Sequence, residues 1–294
     1  MRRIVAWAIA GCISTWAGAD ETIALPALTA DQIIENNVAA RGGLEAWRKI
    51  QTMIWVGHID SSHAPAPSMP FVLEMKRPDK TRFEIKAQGQ ASVRIYDGSN
   101  GWKLRSTSSG KPELKQYSAE ELSFAHDGPG IDGPLMDHRA KGIAVTLGGV
   151  DVIEGHKAYR LNLRLNSGNI HHVWIDPHTF LDIKYDREFR NSFGQSITAS
   201  VFFHNYQPIE GLQIPLTIES GKGTGASADK LVIEKVLLNT PLEDNVFVKP
   251  NVLQQRKLVL HPAAQPQVSG QVIQPASLMA PEQPELAFSS RAEE

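Results

Sequence analysis

Tyr159-Arg-Leu-Asn-Leu-Arg-Leu165 is the stretch that decides the fold class. Its odd positions, Tyr159, Leu161, Leu163 and Leu165, are apolar, and its even ones, Arg160, Asn162 and Arg164, are polar. A period of two over that length means an extended strand with one face buried and one face wet. Asn166-Ser-Gly-Asn169 supplies the turn residues that follow, and His171-His-Val-Trp-Ile175 begins a return strand. Asp176-Pro-His-Thr179 reads as a second turn. The alternation resumes at Leu181, Ile183 and Tyr185, then at Val201 with Phe203, and again at Leu212, Ile214, Leu216 and Ile218. No helix-length insert separates these segments, so neighbours must pair as hairpins in an antiparallel meander.

Strand signals also run upstream. Met53, Trp55 and Ile59 open the series; Phe71, Leu73 and Met75, then Phe83 and Ile85, then Val93 and Ile95 continue it. Asp97-Gly98 marks a turn before Trp102, and Leu231 to Leu238 reads as the last strand. One polar face per strand predicts a sheet with one side in water. Two helices interrupt the pattern. Thr29 with Gln32 forms a capping box ahead of Ile33, Ile34 and Val38, and Gly42-Gly43 stops that helix. Ser118 with Glu121 forms a second, ahead of Leu122 and Phe124. The Gly- and Pro-rich run Asp127 to Leu135 follows, and the insertion from Ser118 to Gly142 reads as a hinged lid.

Composition narrows the function. The chain of 294 residues is 41% hydrophobic, enough for a core, and its net charge of −2 gives no footing for nucleic acid. A single cysteine, Cys12, excludes a disulfide framework. Residues 1–19 read as an export signal, with Arg2 and Arg3 ahead of a short apolar stretch and Ala17-Gly18-Ala19 before Asp20. Cleavage between Ala19 and Asp20 removes those two arginines and moves the net charge from −2 to −4. A competing reading takes Ile9-Ala10-Gly11-Cys12 as a lipobox that lipidates Cys12. Both place the mature protein outside the cytoplasm, and the apolar stretch is too short for an integral membrane span. Residues 20–250 then form the folded domain, and 251–294, rich in Pro and Gln, read as a disordered tail.

Motifs for chemistry are missing. There is no G-x-S-x-G elbow, and Asp97-Gly-Ser-Asn-Gly-Trp102 lacks the Lys-Ser/Thr of a phosphate loop. His171 and His172 are adjacent on a strand, so they face opposite sides and share no metal simply. His126, Asp127, Asp132, Asp137 and His138 lie in one insertion, but their spacing matches no zinc pattern, and a solvated loop is the expectation. No cofactor and no catalytic residue is assigned.

The ordered set of motifs resembles the outer-membrane lipoprotein-sorting proteins, the periplasmic LolA/LolB-like lipoprotein-carrier superfamily. The matching pieces are Ala40-Arg-Gly-Gly43, Tyr96-Asp-Gly98 with Gly101-Trp102, Gly133-Pro-Leu135, Gly149 to Gly155 before Tyr159-Arg-Leu161, Trp174-Ile-Asp176 with Leu181, and Gly211-Leu-Gln-Ile-Pro215. The resemblance spans about Ala30 to Val248. It implies an α+β fold, a strongly curved antiparallel sheet forming an incomplete half-barrel of about 11 strands, with short helices over its concave face. It implies a non-catalytic protein of the Gram-negative-type periplasm, holding acyl chains of a lipid or acylated lipoprotein in outer-membrane lipoprotein sorting or lipid transport. The alternative is an envelope protein-interaction or sensor module on the same fold. The residues expected to line the cavity are Trp55, Phe71, Leu73, Phe83, Leu122, Phe124, Tyr159, Leu161 and Leu163.

Overall fold

The structure is a computed structural model and describes residues 25–61, 68–106, 111–190, 195–221 and 229–251. The export segment, with Cys12, Ala19 and Asp20, and the tail beyond residue 251 lie outside them. The chain divides into two units, Met1–Pro250 and Asn251–Glu294, and the first carries every element below.

In chain order these are α1 (Ala30–Ala40), α2 (Leu44–Arg48), β1 (Thr52–Asp60), β2 (Ser68–Lys76), β3 (Lys80–Ala87), β4 (Gln90–Tyr96), β5 (Gly101–Ser106), β6 (Pro112–Gln116) and α3 (Ala119–His126). The rest are β7 (Ala144–Ile153), β8 (His156–Arg164), β9 (Ile170–Ile175), β10 (Asp182–Arg190), β11 (Ser196–Ile209), β12 (Leu212–Gly221) and β13 (Asp229–Leu238). All thirteen strands join one antiparallel sheet in the order β6-β5-β4-β3-β2-β1-β13-β12-β11-β10-β9-β8-β7. The sheet is curved and unclosed, the incomplete half-barrel of an α+β fold, with thirteen strands rather than about eleven. The strand hardest to anticipate is β6, whose Pro-Glu-Leu-Lys-Gln offers no second apolar residue to alternate with Leu114.

Residues directly opposite on antiparallel strands share a face, so register assigns the faces. Trp55 pairs with Leu73, Leu73 with Phe83, and Phe83 with Arg94. Beyond the β1–β13 seam, Ile59 pairs with Leu231, Leu231 with Ile218, and Ile218 with Phe203. These residues form the concave face. A bulge between Val56 and Gly57 resets the register at that seam. A Cβ on Gly57 would meet the Val232 carbonyl oxygen at 1.9 Å, so only glycine lets the two backbones approach there.

The same register corrects one expectation. Val93 and Ile95 fall on the convex face opposite Phe83 and Arg94, together with Leu104, yet all three are buried. The convex side of the β1–β6 arm is therefore not simply wet. After β13 the chain returns to this arm as a 3-10 turn, Asp244–Phe247, clamped where Lys76 and Lys80 both meet Asp244. That turn packs against β3 and buries Phe247.

The helices sit on the concave side. α1 begins as the capping box requires, with the Gln32 amide donating to Thr29 Oγ1 at 3.2 Å and the Thr29 amide to Gln32 Oε1 at 2.9 Å. It buries Ile33, Ile34 and Asn37. Asn37 Nδ2 donates to the Phe180 carbonyl and Asp182 Oδ1, and Arg41 lies 3.6 Å from Asp182. Burial pushes the Asp182 carboxyl up, with Arg41 and Asn37 pulling against it. This polar knot fixes α1 to β10.

Residues 127–143 also differ from expectation. Ile131, Leu135 and Met136 are buried in the core, and so are Asp127 and Asp132. Asp132 accepts from Arg77 at 2.8 Å and Lys141 at 2.5 Å, while its carbonyl accepts from Arg41. Asp137 takes a bidentate pair of hydrogen bonds from Arg48. The segment is a pinned plug, because each of its acids meets a fixed donor and its apolar residues point inward. The lid reading does not apply to it.

Candidate functional site

Three apolar clusters line the concave face, and they differ in what covers them. In the first, Tyr159, Leu161, Leu163, Val173, Ile175 and Tyr185 pack under Ile33 and Ile34 of α1 and Leu135 of the plug. In the second, Met53, Met75, Leu212 and Ile214 pack under Trp47 of α2 with Ile131 and Met136. The third is made of strand residues alone. Ile59, Met69, Phe71 and Ile233 form its base, and Trp55, Leu73, Phe83, Ile85, Leu216, Ile218 and Leu231 are only partly buried against it. Among the described residues no helix contributes to this cluster, which sets it apart from the other two.

The third helix, α3, spans the concavity from one arm of the sheet to the other. Glu121 accepts from Lys103 Nζ at 2.7 and 2.8 Å and lies 3.5 Å from Arg94, on β5 and β4. Three residues on, the Phe124 carbonyl accepts from Arg187 of β10, the guanidinium lies 3.5 Å from the Phe124 ring centroid, and that ring meets Phe189 edge-on at 5.0 Å. Six strands separate β4 from β10 in the sheet. On a flat sheet they would stand about 34 Å apart, whereas eight helical residues reach only about 12 Å. Curvature alone lets one short helix touch both. None of the residues of α3 is buried, so it rests on the concavity without being part of the core. Helices this short are marginal by themselves.

Beneath the C-terminal end of α3 the concave face turns polar. His171 pairs across the ladder with Arg187, and the neighbouring row carries Tyr185. His171 Nδ1 and the Tyr185 hydroxyl are 2.6 Å apart. Burial, reinforced by the Arg187 charge, lowers the His171 pKa to about 4, so the ring is neutral at pH 7. Burial raises Tyr185 as well, which keeps its phenol protonated. Asp127, the C-cap of α3, accepts from Ser167 Oγ at 2.8 Å and Asn169 Nδ2 at 2.6 Å in the β8–β9 turn. Sequence reading missed this polar island, although the odd-numbered parity shared by His171, Tyr185 and Arg187 with Val173 was its signal.

The nine residues expected to line a cavity separate into two groups. Phe71, Tyr159, Leu161 and Leu163 are at most 2% exposed and belong to the packed clusters. A charge at Leu161 would therefore strike the core under α1 and report on folding. Trp55, Leu73, Phe83, Leu122 and Phe124 are half-buried. The first three lie on the rim of the third cluster, Phe124 is held by Arg187, and Leu122 belongs to none of the three clusters. The acids and histidines of the insertion do not converge: Asp127, Asp132 and Asp137 go to separate partners, and His138 Nδ1 meets the Ile143 carbonyl. Among the described residues no group of His, Cys, Asp and Glu could hold a metal ion. The Asp97 turn is closed by its own carboxylate, which accepts from the Ser99 and Asn100 amides.

No family model matches the sequence, and no curated protein matches it either. Solved structures do match. A domain from Vibrio parahaemolyticus named for outer membrane lipoprotein sorting is 16% identical, with 74% of this chain and 95% of that one covered at a TM-score of 0.49. A DUF1329 family protein from Desulfovibrio piger is 13% identical, with 74% and 96% covered and a TM-score of 0.49. A LolA superfamily protein from Nitrosomonas europaea is 16% identical, with 76% and 99% covered and a TM-score of 0.46. The chain is similar, over most of its described length, to proteins of the outer membrane lipoprotein-sorting and LolA superfamily.

Proposed function

We propose that the protein is an exported carrier of the cell envelope, one that holds acyl chains of a lipid or acylated lipoprotein on the concave face beneath α3 and catalyses no reaction on them. The supporting observation is the third cluster, whose described members all lie on strands and whose rim, Trp55, Leu73, Phe83 and Ile85 among it, is only partly buried. Covering such a surface with an acyl chain contributes about 0.8 kcal/mol per methylene, so a chain of a dozen or more carbons needs no other contact. A marginal helix over the opening suits a ligand that enters and leaves. Export through cleavage after Ala19, or anchoring through Cys12, belongs to the same reading. Among the described residues no helix is long and apolar enough to cross a membrane.

Delipidated full-length protein titrated with a fluorescent fatty-acid analogue tests the proposal. Uptake is expected in the wild type, and Ile218→Glu, whose cross-strand neighbours Leu231 and Phe203 are apolar, should weaken it tenfold or more, because an unpaired charge there costs several kcal/mol to bury. Folded protein that takes up no probe would sink the carrier reading. One observation favours a second reading, an envelope protein as partner. β7 is an edge strand, and Leu147, Val150 and Val152 on it are exposed. A partner adding a strand there would slow exchange of the β7 amides in envelope extracts.

A further inference from the structure

Arg187 is a cation on the polar part of the concave face, and its side chain makes no ion pair at contact distance among the described residues. Its side chain projects from the concave side of β10, in the row next to Tyr185 and Val201. Among the described residues no carboxylate lies within 4.0 Å of it. Its Nε is buried with no hydrogen-bond partner. Of the nearby ionisable side chains, His171 and Tyr185 are uncharged at pH 7, and Asp127, whose oxygens accept from the neutral Ser167 and Asn169, favours the charged guanidinium without touching it. What the guanidinium does meet is a neutral group, the Phe124 carbonyl at the end of α3, with the Phe124 ring stacked over it. A half-buried guanidinium whose Nε has no partner, and whose hydrogen bond among the described residues goes to a carbonyl, has donors to spare for an oxyanion, which its planar fork matches.

We propose that Arg187 is the head-group anchor of the concavity, and that its ligand is an acyl chain bearing an anionic carboxylate or phosphate. This rests on the carrier reading above and adds the ligand class to it. The Phe124 carbonyl occupies the anion's place in the unloaded protein. Displacing α3 exposes the guanidinium, and the anion takes over its hydrogen bonds while the chain lies along the third cluster.

The test compares matched chains on delipidated full-length protein at pH 8: palmitate against hexadecanol, and phosphatidate against diacylglycerol. The anchor predicts at least tenfold tighter binding of the anionic member in one pair or both, and the pair that shows it tells carboxylate from phosphate. In Arg187→Met the preference should fall to near one, while Arg187→Lys, which keeps the charge but loses the fork, should retain part of it. Equal binding of anionic and neutral chains by the wild type would overturn the anchor and leave the carrier reading standing. Binding of neither would overturn both. An unchanged preference in folded Arg187→Met would also overturn the anchor. Should that variant fail to fold by circular dichroism, the wild-type ratio and Arg187→Lys decide the question.

Discussion

Replacing Asp132 by alanine should detach the plug, and the cost follows from its surroundings. The Asp132 side chain is 4% exposed and takes one hydrogen bond each from Arg77 and Lys141, whose side chains are 25% and 30% exposed. Removing one partner of a fully buried ion pair costs about 3–5 kcal/mol, mostly for the charge left behind. Here the two abandoned cations can reach water, so the lower end applies, about 3 kcal/mol. The bond from Arg41 goes to the backbone carbonyl of residue 132 and survives the change. With a urea dependence of about 3 kcal/mol per molar for a domain of this size, the unfolding midpoint at pH 7 should drop by about 1 M. Amides 131–136 should lose hydrogen-exchange protection in the same variant. A loss below about 0.5 kcal/mol would refute the reasoning, because it would mean that Arg77 and Lys141 do not depend on this carboxylate.

The other predictions are shorter. His171 has a folded-state pKa near 4 against the ordinary 6.5 of a solvated histidine, so the unfolded chain takes up a proton that the folded one refuses. Stability should then be full above pH 6.5 and fall as pH drops toward 4, by about 2 kcal/mol between pH 7 and pH 5; urea titrations should show this slope flattened in His171→Gln. In native hydrogen exchange, α3 should exchange faster than residues 131–136, and a bound anionic acyl chain, by taking Arg187 from the Phe124 carbonyl, should speed α3 further while leaving 159–165 unchanged. Gly101→Ala would place a Cβ 2.0 Å from the Tyr117 ring, so it should cost about 1–3 kcal/mol by thermal melting and loosen the approach to α3. Intact mass of exported protein should correspond to a chain starting at Asp20; a diacylglyceryl group on Cys12 would replace that reading by the lipobox one.

Legibility from sequence followed the physical signal available. Alternation exposed most strands because Tyr159 to Leu165 and Phe71 to Met75 obey the pleat, and both capping boxes formed as Thr29 and Ser118 indicate. β6 escaped because an edge strand of charged residues has no buried face to betray it. The plug was misread because Gly and Pro mark irregular backbone without saying whether it is buried. Only long-range partners such as Arg77 and Arg48 settle that, and they lie 55 and 89 residues away from Asp132 and Asp137. Among the expected lining residues, pattern could identify the concave face but not which part of it a helix covers. That is why Leu161 and Phe83 looked alike in sequence and differ in the fold.

The strands β6 and β7 follow one another in the chain yet lie at opposite edges of the sheet. Each arm is a simple meander, and the arms are sewn together along the β1–β13 ladder, where Met53 faces Leu238 from 185 positions away. Residues 117–143 thus act as a strap across a hinged book whose spine is that ladder. The spine brings together distant parts of the chain, so it should close late in folding. Once it has closed, the strap's anchorage limits how far the covers can swing apart, and cutting the strap in an exposed stretch would let the book spread without tearing a page.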